Sequence, residues 1–493
     1  MRIASVIFLL LAGQAFAGWS DPVVISETDV GSMNMPRVAE IDGELHVVYY
    51  NYTTSPTKSR YVRSLDFGED WDPPIVLEDS LVSAALPNIA ISGQYLHTAW
   101  KSGLVEGRPV IYYKRSMDRG NTWEEGQIIH YNRFHTSVSY AALAVNGDTV
   151  FCAYKVMYDI WLTRSFDNGE TWEEGRMIVE HPGALAFPMT LLFSEGRLHL
   201  VHQGGGGLAI EIFHRYSDDG GDTWSDPVML STYDEWDGQW PSAYADTCGN
   251  IAAAWFDYKY GGGPFGGTGD ILLRYSTDNG QTWEEEVRLT ESQCGQSSGI
   301  FIEGCSIYAV YDDIREGNPE IYMRTSHDLG GHWSDEERLT YSEGVSFSPR
   351  IIVNYRDGAK HKHLIWREKY PQSIAIAIYY MREISSTGIA ASQGPESPLP
   401  VCSIGIYPNP FNDITTISCY LPRIGGRDLE LQIYDIGGKL VRRLSRIGQH
   451  LGYKSLVWDG RSGGSQQVGS GIYLCVLSCQ GKIFKSAKIA FIK

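Results

Sequence analysis

Between residues 36 and 381 the chain is written in short runs in which apolar and polar positions alternate. One set of four shows the pattern well: Pro87-Asn88-Ile89-Ala90-Ile91, Tyr95-Leu96-His97-Thr98-Ala99-Trp100, Val110-Ile111-Tyr112-Tyr113-Lys114 and Gly126-Gln127-Ile128-Ile129. A period of two with β-branched and aromatic side chains predicts strands, and nothing between residues 18 and 385 carries a helical period. The set recurs. Its first member returns as Pro36-Arg37-Val38-Ala39 and Pro349-Arg350-Ile351, its second as Leu45-His46-Val47-Val48-Tyr49, Leu198-His199-Leu200-Val201 and His363-Leu364-Ile365-Trp366. First members begin near Pro36, Pro87, Tyr140, Phe187, Pro241, Ser298 and Pro349, which predicts seven repeats, with six as the alternative.

Between the third and fourth runs stands an eight-residue box, clearest as Ser165-Phe166-Asp167-Asn168-Gly169-Glu170-Thr171-Trp172. Other copies begin at Ser64, Ser116, Ser217, Ser276 and Ser326. The Asp accepts hydrogen bonds from backbone N–H groups after it, the Gly supplies a positive φ, and the Trp opens the next strand with a large ring to bury. The box is a hairpin corner, so Asp66, Asp118, Asp167, Asp219, Asp278 and Asp328 read as structural. A repeat of about 50 residues implies stacked blades.

The box resembles the Asp box of the sialidase superfamily, the bacterial neuraminidase repeat. That resemblance implies an all-β, seven-bladed Asp-box β-propeller over residues 18–384, six blades being the sialidase count. It fixes no chemistry, since such propellers serve as hydrolases, receptors and assembly factors. The seventh repeat has no box after Ile378-Tyr379-Tyr380-Met381. Gly18-Trp19-Ser20-Asp21-Pro22-Val23-Val24-Ile25 matches the post-box strand Thr223-Trp224-Ser225-Asp226-Pro227-Val228-Met229-Leu230. A strand at 18–26 is therefore expected to complete the last blade and cover its open edge.

Alternation also sorts the loops. Boxes and first-to-second turns share one face. Second-to-third loops and blade connections share the other, where lengths vary and function usually sits. That face carries Tyr131-Asn132-Arg133-Phe134-His135, Tyr233 to Trp240, and the loop from Asp257 through Gly262 and Phe265 to Asp270.

The ends differ from the middle. Met1 to Ala17 reads as a signal peptide, with Arg2, an apolar core and Ala15-Phe16-Ala17, and its apolar run is short for a membrane span. No transmembrane anchor is expected. Residues 385–400 read as a Ser, Thr, Gly and Pro linker. Residues 401–493 hold Tyr407-Pro408-Asn409-Pro410-Phe411-Asn412, Val457-Trp458-Asp459-Gly460 and Ser470-Gly471-Ile472-Tyr473 among short strands, as in a small β-sandwich. This unit resembles the C-terminal sorting domain of type IX secretion cargo and the immunoglobulin-like domain of hook-capping proteins. The first implies passage through an outer membrane and a secreted or surface location.

Composition narrows the partners. A net charge of −18 disfavours nucleic acid. Eight cysteines follow the signal peptide, spaced for neither a disulfide scaffold nor a metal site; Cys248 and Cys305 fall in similar turns, so pairing and burial both stay open. No metal or cofactor is expected.

The sialidase resemblance implies three arginines on a substrate carboxylate, a Tyr nucleophile helped by a Glu, and an Asp acid/base. The family's aromatic-Arg-Ile-Pro motif is absent: Arg37 follows a proline in Met35-Pro36-Arg37-Val38. Arg350 repeats that arrangement, with Arg367 or Arg315 as a third guanidinium. The histidines of the second runs and the tyrosines of the third are repeat positions, and Asp312, Asp313 and Glu316 read as shaping a loop. Trp236, Trp240, Tyr258 and Tyr260, beside Tyr233 and Asp257, suit stacking on sugar faces. The leading reading is a non-catalytic exported propeller binding a glycan or surface protein. A sialidase-like hydrolase and a structural envelope component are the alternatives.

Overall fold

The alternating runs form antiparallel strands. The computed structural model describes residues 18–27, 33–51, 56–78, 83–131, 136–180, 189–205, 209–261, 269–356, 359–369, 376–386, 403–407, 410–412, 414–421, 429–447, 452–464, 466–479 and 482–492. Residues 1–17, expected as a signal peptide, the 387–400 part of the expected linker, Phe187, and residues 132–135 and 262–268 lie outside them.

Among the described residues, seven four-stranded sheets follow one another from Val23 to Ser386. Sheet 1 is Met33–Ile41, Glu44–Asn51, Lys58–Ser64 and Ile75–Val76; sheet 2 is Ala84–Ser92, Tyr95–Val105, Arg108–Ser116 and Gln127–Tyr131. Sheet 3 is Val138–Asn146, Thr149–Val156, Asp159–Ser165 and Arg176–Val179; sheet 4 is Met189–Ser194, Arg197–Gly205, Ile210–Ser217 and Val228–Met229. Sheet 5 is Gly238–Ala245, Ile251–Asp257, Asp270–Ser276 and Val287–Arg288; sheet 6 is Gly295–Glu303, Ser306–Asp313, Glu320–Ser326 and Glu337–Arg338. Sheet 7 is Val345–Arg356, Ala359–Lys369 and Ile376–Ser386, and its outer strand is Val23–Val24, paired with Tyr380 and Tyr379. Each first strand packs on the next sheet's first strand, and that of sheet 7 packs on that of sheet 1. One short 3-10 turn, Tyr258–Tyr260, is the helical segment among the described residues.

The box corners work as expected and also clamp neighbouring sheets. Ser165 donates its hydroxyl to Asp167 Oδ1 at 2.7 Å and accepts the Gly169 N–H at 2.7 Å. Asp167 accepts the Thr171 N–H at 2.8 Å and its hydroxyl at 2.6 Å. Burial pushes Asp167 up, but hydrogen bonds from Thr171, Ser165 and Glu170 outweigh it and hold the carboxyl at about 2. The Trp172 indole N–H finds no acceptor among the described residues; its ring instead meets Tyr113 of sheet 2 edge-on at 4.8 Å. Gly169, at φ 82, lies so close to the Tyr113 hydroxyl that a Cβ there would sit 1.8 Å from it. Tyr113 is in turn hydrogen-bonded to buried His97 at 2.7 Å. The seam repeats the device: His363 meets Tyr380 at 2.8 Å, Tyr380 meets Trp71 of the first box at 4.9 Å, and Arg382 donates to the Phe67 carbonyl at 3.1 Å. The box also touches the first-to-second turn, as Asn168 N–H to Asp148 O at 2.8 Å, so these corners share a face.

The N-terminal segment holds the seam from outside. Trp19 is 6% exposed and bridges to Glu383, and Ile25 donates to Ile378 O at 2.9 Å from between sheets 7 and 1. Cys248 and Cys305 form no disulfide, and Cys152 and Cys475 are buried as small apolar groups. Downstream, a three-stranded sheet (Ser403–Tyr407, Thr415–Leu421, Gly452–Trp458) and a four-stranded one (Leu429–Asp435, Leu440–Ile447, Gly471–Cys479, Lys482–Phe491) share a core of Phe411, Ile417, Leu431, Trp458 and Phe491.

Candidate functional site

The first strands surround a central cavity of about 220 Å³ whose lining draws on all seven sheets, from Arg37 and Val38 in sheet 1 to Arg350, Ile351 and Ile352 in sheet 7. An inner strand has no neighbour on its channel side, so unpaired backbone groups add polarity to the wall. Toward the loop face most first strands bulge. Register slips between Asn34 and Arg37, Ala85 and Asn88, Ser139 and Ala142, Gln239 and Ser242, and Phe347 and Arg350. In each of these bulges one non-glycine residue is left-handed: Met35 (φ 46), Leu86 (φ 59), Tyr140 (φ 49), Trp240 (φ 57) and Ser348 (φ 55). A bulge re-aims the residues after it, and two positions beyond Met35 and Ser348 stand Arg37 and Arg350, both on the cavity wall.

These two arginines are unusual in this molecule. Most others pair with carboxylates, as Arg164 does with Glu173 at 2.8 Å and Asp222 at 3.0 Å. Arg37 donates to the Pro36 carbonyl at 3.2 Å, and Arg350 to the carbonyls of Pro349 at 2.7 Å and Ser298 at 3.2 Å. Neither makes an ion pair with a carboxylate among the described residues. Burial pulls both below the ordinary arginine range. Arg350 is lowered further by the positive charges of Arg37 and Arg367, and Asp312 counteracts. Arg367, over the Phe347 ring at 4.0 Å, donates to the Ser348 hydroxyl at 3.0 Å. Three guanidiniums of sheets 1 and 7 thus share one neighbourhood.

Two acids complete it. Asp312 of sheet 6 is 1% exposed, takes the Ser297 hydroxyl and accepts the Ser348 N–H at 3.2 Å. Burial pushes it up, hydrogen bonds and Arg367 pull it back, and the outcome is about 6. Tyr140, raised to about 12 by burial and next by Tyr50, feels the Arg37 charge. A small recess of Met35, Leu86, Tyr140 and Met189 flanks Arg37.

The remaining candidates stand elsewhere. Arg315 is occupied: it pairs with Glu336 and with Asp313 at 2.7 Å and lies over Tyr322 at 4.6 Å. Asp257 is 2% exposed and caps the 3-10 turn, accepting from Lys259 N at 2.9 Å and Trp255 Nε1 at 3.1 Å. Burial, ahead of these hydrogen bonds and repulsion from Asp234 and Glu286, sets it at about 7. The expected aromatic shelf is only partly there. Tyr258 packs edge-on against Phe256 at 4.7 Å and Tyr260 under Arg288 at 4.0 Å, so both are spent on packing. Trp236 is half-buried in its loop, whereas Tyr233 is 64% and Trp240 39% exposed. Trp240, exposed and at a bulge, directly precedes Pro241 of the cavity wall. Sequence reasoning passed over Tyr140 and Asp312 because both fall at repeat positions; the departure from neighbours at those positions (Lys155 and Phe256 where sheet 6 has Asp312) was the available signal.

Residues 97–298 match the BNR repeat-like domain, and residues 405–490 match the secretion system C-terminal sorting domain. The chain thus carries sialidase-like repeats and a type IX sorting domain, and it is exported to the cell surface or beyond it. No curated protein matches it. Among solved structures, a polysaccharide lyase of family PL25, an ulvan lyase, aligns over 73% of this chain and 93% of its own at 12% identity, with a TM-score of 0.52. The sialidase of Trypanosoma rangeli with the inhibitor DANA aligns over 84% of this chain and 85% of its own at 12% identity, with a TM-score of 0.40. The four-stranded sheets are stacked as blades, and the likeness to the ulvan lyase is one of fold alone.

Proposed function

We propose that the chain is an exported, seven-bladed propeller that binds a glycan bearing a carboxylate at the loop-side end of its channel, with Arg37, Arg350 and Arg367 as the clamp. The carrying observation is that Arg37 and Arg350, half-buried on the cavity wall, make no ion pair with a carboxylate among the described residues. A partly desolvated cation with no counter-ion is costly, and an incoming carboxylate repays that cost with charge-assisted, fork-shaped hydrogen bonds. Trp240, exposed and one residue before Pro241 of the cavity wall, would serve as a stacking face for a neighbouring sugar ring. The net charge of −18 opposes a long polyanion, so the fitting ligand carries isolated acidic sugars on an otherwise neutral chain. Ring closure by residues 18–26, a linker at 385–400 and a β-sandwich at 401–493 complete the domain plan we infer.

A glycan array of sialylated, uronate-bearing and neutral oligosaccharides tests this. Acidic glycans should bind, and Arg37→Ala and Arg350→Ala should each lose them; neutral glycans binding as well as acidic ones would overturn the reading. One observation favours a second reading, cleavage of the same ligand: Asp312, at about 6, lies within electrostatic reach of Arg350, and Tyr140 within reach of Arg37. Binding without turnover of a fluorogenic sialoside supports the first reading. Turnover abolished by Asp312→Asn supports the second.

A further inference from the structure

Sheets 4, 5 and 6 repeat a buried device on the outer half of the blade, and one copy is incomplete. In sheet 5 the third strand opens with Asp270, fully buried, which takes the Thr290 hydroxyl at 2.8 Å and the Arg288 guanidinium at 2.6 and 3.0 Å. In sheet 6 Glu320 takes the Thr340 hydroxyl and Arg338 at 3.1 Å. In both, the threonine also accepts the next N–H, from Ile271 at 3.0 Å and Ile321 at 2.8 Å.

Sheet 4 keeps the acid and the hydroxyl. Glu211 accepts from Ser231, which itself accepts the Ile212 N–H at 2.9 Å. Strand register then puts Met229 opposite Phe213, just as Arg288 stands opposite Leu272 and Arg338 opposite Tyr322. Methionine occupies the arginine's place. Glu211 is 2% exposed, and its Oε1 has no hydrogen-bond partner among the described residues. Burial pushes Glu211 up, hydrogen bonding from Ser231 and the Asp234 N–H pulls it back, and the charges of Asp234 and Asp237 raise it again, to about 7; no cation is among these neighbours. Asp237 is held by the Ile210 N–H at 2.8 Å and Asp234 by the Trp236 N–H at 2.8 Å. Lys259, which feels Asp234, is paired with Glu286 at 3.1 Å.

We propose that Glu211, which lacks the guanidinium of its sister sheets, receives the positively charged nitrogen of a ligand, a protonated primary amine such as that of a hexosamine, together with Asp234 and Asp237. The sister sheets supply the argument: the same acid and hydroxyl accept a cationic nitrogen there as a matter of construction. An ammonium brings three donors and a compact charge to the free oxygen. The site lies two strands outward from the channel-lining strand Met189–Ser194, so it stands apart from the arginine clamp and does not depend on it.

The test titrates glucosamine and N-acetylglucosamine into the mature protein, Met229→Arg and Glu211→Gln by calorimetry at neutral pH. Saturable glucosamine binding is expected, at least tenfold weaker for the acetylated sugar, and lost at least tenfold in both variants. Met229→Arg, which returns the sister guanidinium and does not depend on Glu211→Gln folding, should also melt higher than the parent protein. Equal binding of the two sugars, no saturable binding of glucosamine, or retention of glucosamine by Met229→Arg would each overturn the proposal. So would calcium binding lost in both variants while glucosamine stays inert.

Discussion

At the scale of single residues, the two half-buried arginines on the cavity wall invert the usual expectation for a charge withdrawn from water. Removing one partner of an ion pair strands the other, whereas removing an uncompensated cation relieves a desolvation cost. Arg350→Met keeps most of the volume and should leave the melting temperature unchanged or raise it. Arg164→Met, which strands Glu173 and leaves Asp222 to Arg176 alone, should cost about 1–3 kcal/mol. Equal losses in the two variants would mean that Arg350 is structural. The sequence marked Arg37 and Arg350 because both follow a proline at one repeat position. It could not show that bulges turn both toward one cavity, or that Arg367 would join them, since those contacts lie across strands. It also offered Tyr258 and Tyr260 as exposed rings; Phe256 and Arg288, distant or unremarkable in the sequence, cover them.

At the scale of elements, the box was legible almost whole, because its hydrogen bonds run within eight residues. What was not legible is its second task, the grip of Gly169 and Trp172 on Tyr113 of the preceding sheet. Asp167→Ala removes three hydrogen bonds and should cost about 1–3 kcal/mol, read as a lower urea midpoint. An unchanged midpoint would mean the turn is held by neighbours instead. The seam is a stronger test. Trp19 is buried in the core of sheet 7, so Trp19→Ala should cost about 3–5 kcal/mol, measured by denaturant unfolding of the mature protein. A cost below about 1 kcal/mol would show that the last blade stands without its N-terminal strand.

At the scale of the molecule, two sets of buried groups oppose each other as pH falls. His46, His97 and His363 are depressed to about 3, and His130 and His199 to about 4, chiefly by burial. With folded values below the unfolded one, their contribution is whole above about 6.5 and is lost as pH falls toward 3. Glu211, Asp257 and Glu303, at about 7, and Asp312, at about 6, are raised by burial, so protonating them stabilises the fold as pH falls from 7 to about 4. Below about 4 that gain is exhausted, while the box aspartates, near 2, begin to lose theirs. A plot of melting temperature against pH should therefore be shallow from 7 to about 4.5 and steep below about 4. A steady decline from 6.5 would contradict the opposition.

The central claim is that the Arg37 and Arg350 guanidiniums on the cavity wall await a carboxylate. Calorimetric titration with an acidic oligosaccharide and its carboxyl-reduced counterpart, identical in all else, isolates that one group. The account predicts binding of the acidic form at least about a hundredfold tighter, a difference of about 2.7 kcal/mol, which vanishes in Arg350→Met. Equal affinity for the two forms, or a difference that survives the substitution, would contradict it.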